Sequence, residues 1–199
     1  MTDFNILCDR LPHHVTVDGI DYTILTDFRR WILMLDLFDC CRESSADRMD
    51  PITAARCALR IVMPKYSDPG DLPADTLIKL LEKLAVFALG GITDAGGTSD
   101  ATDRDDVQVI DFCGDAEVIL SSFLIAYGID LTKTSMHWWK FLALLRALPP
   151  DTPLMRIIDL RTCDTTKIED DAVRRRMRRA KAAVRIRQPE VSRKRNQAK

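Results

Sequence analysis

Histidine is scarce in this chain: only His13, His14 and His137 occur, and none lies beside a cysteine at metal-ligand spacing. A structural zinc site needs Cys and His ligands converging in closely spaced pairs, so a zinc-organised fold is excluded. The six cysteines, Cys8, Cys40, Cys41, Cys57, Cys113 and Cys163, are scattered and contain no C-x-x-C. They fit neither a metal site nor a disulfide framework and read as buried or half-buried free thiols. Also missing are a G-x-S-x-G nucleophile turn, a glycine-rich phosphate loop opening a helix and an H-E-x-x-H helix. With so few general bases, the expectation is a protein that is not an enzyme, with no catalytic residues, metal or cofactor. No apolar run approaches the roughly 20 residues that span a bilayer, so no membrane role is expected. The opening MTDFNILCDRLP mixes acids with its apolar residues, unlike a secretory signal, and a cytoplasmic location is the default.

What is present is a chain of 199 residues, 46% hydrophobic and 30% charged, enough for one ordinary domain with a real core and a tail. Its net charge of −1 conceals a division. Residues 174–199 hold 12 Lys/Arg against the single acid Glu190, whereas residues 1–173 hold 17 basic against 29 acidic residues. A basic end on an acidic body implies an electrostatic partner for that end: nucleic acid, an acidic protein, or the acidic body of a neighbouring copy.

Val15 and Val17, then Asp18-Gly19, then Ile20, Tyr22 and Ile24 predict a hairpin around a type I′ turn. Helices follow. Thr26 is the expected N-cap of a segment with Phe28, Trp31, Ile32 and Leu35 on one face, ending near Cys40 and Cys41. Asp50-Pro51 opens a shorter helix that stops before Pro64. A third runs from about Ala74 to Leu89, with Leu77, Leu80, Leu81, Leu84 and Ala88 on one face and Gly90-Gly91 as its stop. Residues 92–106, with five aspartates and one large apolar side chain, read as a mobile acidic loop, since EF-hand spacing is absent.

A further stripe, Phe112, Ala116, Ile119, Leu120, Phe123 and Tyr127, is closed by Gly128. Trp138, Phe141, Leu142, Leu145 and Leu148 form the next, ended by Pro149-Pro150, and a short helix over Pro153–Arg161 points Leu154, Ile157, Ile158 and Leu160 inward. A last helix begins near Ile168, carries a narrow seam of Val173, Met177, Ala180 and Val184, and ends before Pro189. The predicted fold is therefore mainly α: a multi-helix bundle with a small N-terminal β-hairpin and a basic C-terminal helix. Residues 1–173 form the acidic helical domain, and 174–199 continue it as helix to about 187 before a disordered tail.

Candidate contact residues lie in two places. Trp138 shares a stripe with Phe141, Leu142 and Leu145 and reads as a core anchor more readily than as a base-stacking platform. Trp139 and Lys140 point elsewhere and are candidates for the surface or a partner. On the basic helix, Arg174, Arg175, Arg178, Arg179, Lys181 and Arg185 could neutralise phosphates. With no aromatic interleaved and no helix-turn-helix before them, a contact with an acidic protein surface is preferred and nucleic acid is second choice.

The words DFCGDAEVILSSFLIAYGIDL, HWWKFLALLRALPPDTPLMRIIDLRTCD and KIEDDAVRRRMRRAK, with ILCDRLP, the V-x-V-DG-x-x-Y segment and TDFRRWI before them, resemble a family of small phage proteins called gene product fifteen. The likeness covers about residues 5–187, and YGIDL, HWWKF and LPPDT are its most specific parts. The resemblance implies a place in the tail-gene module beside the tape-measure gene, and hence a tail assembly chaperone. Such a protein would bind the tape-measure protein, help the tail tube protein assemble around it, self-associate, work in the host cytoplasm and be absent from the mature virion. The alternatives are a nucleic-acid-binding accessory protein and a structural tail component.

Overall fold

Asp18 and Gly19 both take positive φ, 51° and 80°, which builds the mirror-image turn whose twist matches two antiparallel strands. In the computed structural model, which describes residues 7–43, 51–66, 72–90 and 109–186, β1 (His14–Val17) pairs with β2 (Ile20–Thr23) in the register Val15↔Tyr22 and Val17↔Ile20. Val15, Val17 and Tyr22 are buried, as period-two alternation requires. The expected cap Asp50, the acidic loop 92–106, Gly91 and the tail after 187 lie outside the described residues.

The mainly α fold holds, with seven α-helices among the described residues. The chain divides into two units, one of residues 1–98 with 135–144 and the other of 99–134 with 145–199. In the first unit, α1 (Phe28–Glu43) packs on α2 (Pro51–Val62), and a 3-10 turn at Pro64–Tyr66 follows. α1 buries Phe28, Trp31 and Met34, while the expected Ile32 and Leu35 are half-buried. α2 buries Ala55, Ala58, Leu59 and Val62. α3 (Ala74–Ala88) packs on β1 and buries Leu77, Leu80, Leu84 and Phe87. α5 (Trp138–Arg146) stops two residues short of the expected Leu148.

In the second unit, α4 (Ala116–Tyr127) ends at Gly128 in the left-handed conformation, φ 65°. Its expected stripe needs correction: the helix starts after Phe112, Ala116 is exposed, and the buried face is Ile119, Ser122 and Phe123. The cause is Asp111, whose carboxylate accepts the amides of Cys113 and Gly114 at 3.1 and 2.8 Å and holds a turn where helix was expected. α6 (Pro153–Thr162) packs on α4, where the Ser122 hydroxyl accepts the Leu154 amide at 3.0 Å and donates to the Val118 carbonyl at 2.7 Å. After a 3-10 turn at Thr165–Lys167, α7 (Asp171–Ala183) begins later than the expected Ile168. Asp170 sets that start, accepting the amides of Ala172 and Val173 at 2.7 and 3.0 Å.

The beginnings of α1 and α5 are tied to each other. The Phe28 amide donates to the Met136 carbonyl at 3.0 Å and the Trp138 amide to the Thr26 carbonyl at 2.7 Å, bridging Asp27 and His137. The cap of α1 is consequently Asp27 rather than the expected Thr26: its carboxylate accepts the Arg29 amide at 3.0 Å, and the Ser135 hydroxyl donates to it at 2.8 Å. His137 plays the same part for α5. Its Nδ1 accepts the Trp139 amide at 3.1 Å, and Nε2 lies 2.9 Å from the Pro12 carbonyl, so Nε2 carries the proton and the ring is neutral.

Burial lowers the His137 pKa, and the hydrogen bond to Pro12 only partly opposes it. A second proton would also sit on Nδ1, facing an N–H at the positive end of a helix. The folded value lies below the unfolded 6.5, so this contribution to stability is complete above that pH and is lost as pH falls from there towards the folded value. Asp27 is also held low, its hydrogen bonds and Arg29 outweighing burial, but its contribution is lost only as pH falls below 3.8. Urea unfolding is expected to show a loss of stability between pH 7.5 and 5.5 that is reduced in His137→Asn, which keeps a cap acceptor and does not titrate; an unchanged loss would contradict this.

Candidate functional site: a clamped basic helix

Helical spacing puts Arg174 and Lys181 seven residues apart on nearly one face of α7, beside the seam of Met177, Ala180 and Val184. That face packs on α6 and the 3-10 turn before it, leaving Met177, Ala180 and Val184 half-buried. Val173, expected in the seam, remains 48% exposed. The two cations on this side anchor the helix. Arg174 pairs with Asp171 and donates to the Ile168 carbonyl at 2.9 Å; Lys181 donates to the Cys163 carbonyl at 2.8 Å.

A third cation completes the attachment, and it is one that periodicity alone did not single out. Arg161, 9% exposed, donates from Nε to the Val184 carbonyl at 2.7 Å, filling an acceptor in the last turn of α7. Its two Nη groups grip the buried Asp115 at 2.6 and 2.8 Å, and Nη1 also donates to the Val109 carbonyl at 2.9 Å. Asp115 in turn accepts the Asp111 amide at 3.0 Å. Bidentate geometry and filled acceptors are what make a buried ion pair tolerable. The available signal was spacing: Leu154, Ile157, Ile158 and Arg161 share one helical face, so an arginine follows the inward stripe by one turn.

The opposite side of α7 is open. Arg175, Arg178, Arg179 and Arg185 are exposed, and Arg176 joins them, although the sequence reading left it out. Among the described residues, no acidic side chain lies within ion-pair distance of these five. The six basic candidates therefore separate into two that fasten the helix, Arg174 and Lys181, and four that face outward.

Trp139 and Lys140 belong to the other unit, at the start of α5. Trp138 is core, 1% exposed, with its ring centroid 5.6 Å from Phe141 and 6.3 Å from Trp31. The two indoles satisfy the end of α3: Trp138 Nε1 donates to the Ala88 carbonyl at 2.9 Å and Trp139 Nε1 to the Phe87 carbonyl at 2.8 Å. Trp139 is half-buried against Phe87, centroids 5.0 Å apart, while Lys140 is exposed.

Among the described residues, no group of three or more His, Cys, Asp or Glu side chains could hold a metal ion, and no helix is long and apolar enough to cross a membrane. Fold and surface define a mainly helical protein with a small hairpin, whose densest charge stands on one firmly attached helix. The chain belongs to the Bacteriophage Gp15 protein family, whose model matches residues 7–186 and so includes α7. That family suggests an accessory role related to phage tail assembly. No curated protein and no solved structure matches the chain.

Arg161→Met leaves Asp115 buried without its partner and is expected to cost about 3–5 kcal/mol in urea unfolding. Adding Asp115→Leu should restore part of the loss, but not the protection of α7 from hydrogen exchange, because the Val184 carbonyl has still lost its donor. Equal protection in wild type and double variant would refute the clamp.

Proposed function

We propose that this protein is a tail assembly chaperone, which binds the tape-measure protein in the host cytoplasm, keeps it soluble while tail tube subunits assemble around it, and leaves before the virion is complete. The observation that carries this reading is the family match across residues 7–186. The surface supports it physically. α4 is apolar around most of its circumference and leaves Leu124 45% and Ile125 68% exposed side by side. Exposed apolar side chains on a helix suit the amphipathic face of another helix, and a tape-measure protein would offer many such faces along one chain. Repetition along that chain allows each contact to be weak and still hold collectively, which lets tube subunits displace them.

Co-expression with the tape-measure protein encoded in the same tail module tests this. The tape measure should move from the insoluble to the soluble fraction, co-elute with this chain in gel filtration, and do both less well with Leu124→Ser/Ile125→Ser. A tape measure equally soluble alone, with no complex in gel filtration, would refute the proposal. Mass spectrometry of purified virions separates chaperone from structural component: abundant copies of this chain in virions would favour the latter.

A further inference from the structure

We propose that the outward face of α7 is a contact site for a second copy of this chain, docking its arginines on the acidic surface carried by residues 1–173 of that copy. Three cations, Arg161, Arg174 and Lys181, donate to the backbone carbonyls of Val184, Ile168 and Cys163 and so hold α7 in a fixed orientation. This leaves Arg175, Arg176, Arg178 and Arg179 exposed on five consecutive positions. Arg175 with Arg179, Arg175 with Arg178, and Arg176 with Arg179 are neighbours at the i, i+4 and i, i+3 spacings where like charges repel. With no carboxylate in reach among the described residues, that repulsion stands against the fold, and an anionic partner would relieve it.

The same chain supplies the anion. Its first 173 residues carry 29 acids against 17 bases, and Asp36, Asp75, Glu82, Glu117, Asp151 and Asp159 are exposed. A surface of one sign on a chain whose remainder has the other sign is complementary to its own copies. The neighbours of the arginines favour protein over phosphate: Ala172 and the half-exposed Val173 lie at one end and Ala182 and Ala183, also exposed, at the other. Small and apolar positions gain from a packed protein surface and add nothing to a phosphate contact, and no aromatic on the helix could stack a base. Because the two patches differ, the contact is heterologous and can repeat from copy to copy instead of closing at a dimer.

Sedimentation velocity on the full chain tests the contact. In about 50 mM salt the mass should rise above 22.6 kDa with concentration, and fall back to the monomer in about 0.5 M salt, where screening shortens the reach of exposed charges to a few ångströms. Arg175→Glu/Arg178→Glu/Arg179→Glu should weaken association at least tenfold with helicity unchanged by circular dichroism. If that variant loses helicity, Arg175→Gln/Arg178→Gln/Arg179→Gln serves in its place. A monomer at low salt, or association unaffected by the variants, would overturn the proposal. So would a chain that stays monomeric but binds duplex DNA through these arginines with a steep salt dependence, which would assign the face to nucleic acid. The measurement uses no tape-measure protein, so its outcome is independent of the chaperone reading.

Discussion

Two helices that begin 110 residues apart in sequence start from one shared joint, and the first unit depends on it. A helix start exposes amides that need acceptors. Here Phe28 donates to Met136 and Trp138 to Thr26, so each helix supplies a carbonyl for the other. Asp27 and His137 then cap their own second turns-worth of amides from side chains that face the same joint. With the starts fixed, the aromatic side chains one turn on have little freedom: Phe28 stacks on Phe141 at 4.7 Å, and Trp31 lies 4.5 Å from Phe87. The indoles of Trp138 and Trp139 are thereby aimed at the last carbonyls of α3. Local capping, aromatic packing and the position of a third helix follow from one pair of backbone hydrogen bonds.

The second unit reaches a comparable result with a side chain. Arg161 joins the residue before α4, the stretch leading to it and the end of α7, using a planar fork that no apolar residue could imitate. α7 has no buried residue and a polar composition, so apolar burial alone would hold it weakly. Directional hydrogen bonds from cations to carbonyls make up the difference. They also mean that charge on this helix serves two separate ends according to which face it is on.

Much of the fold was legible because the governing signals are local. Asp18-Gly19 dictates its turn through φ, Gly128 ends α4 for the same reason, and Pro153 opens α6. The core stripes of α3 and α5 were legible from spacing. The failures arise where a distant residue intervenes. Thr26 is as good a cap as Asp27 by composition, and only the carbonyl demanded by Trp138, far along the chain, decides between them. Asp111 looked like an ordinary residue ahead of a helix, yet its carboxylate captures two amides and delays the start. For the candidate site, the density of arginine was evident, but not its division. Which cations anchor and which face outward depends on the carbonyls of Ile168 and Cys163 and on Val184 meeting Arg161, and none of these follows from periodicity.

That division bears on how such a surface would work. A helix already held by its own unit loses little conformational entropy when it meets a partner, so a larger share of each new contact appears as affinity. Charge contacts at an exposed face add mainly to the rate and selectivity of encounter and little to its permanence. Exposed apolar side chains such as Leu124 and Ile125 contribute modest, non-directional burial. A protein that must assemble on a long chain and later be displaced needs this combination: rigid presentation, fast capture, and individually weak contacts. A component built permanently into a tail would instead be expected to bury such side chains in broad, apolar interfaces that do not reopen.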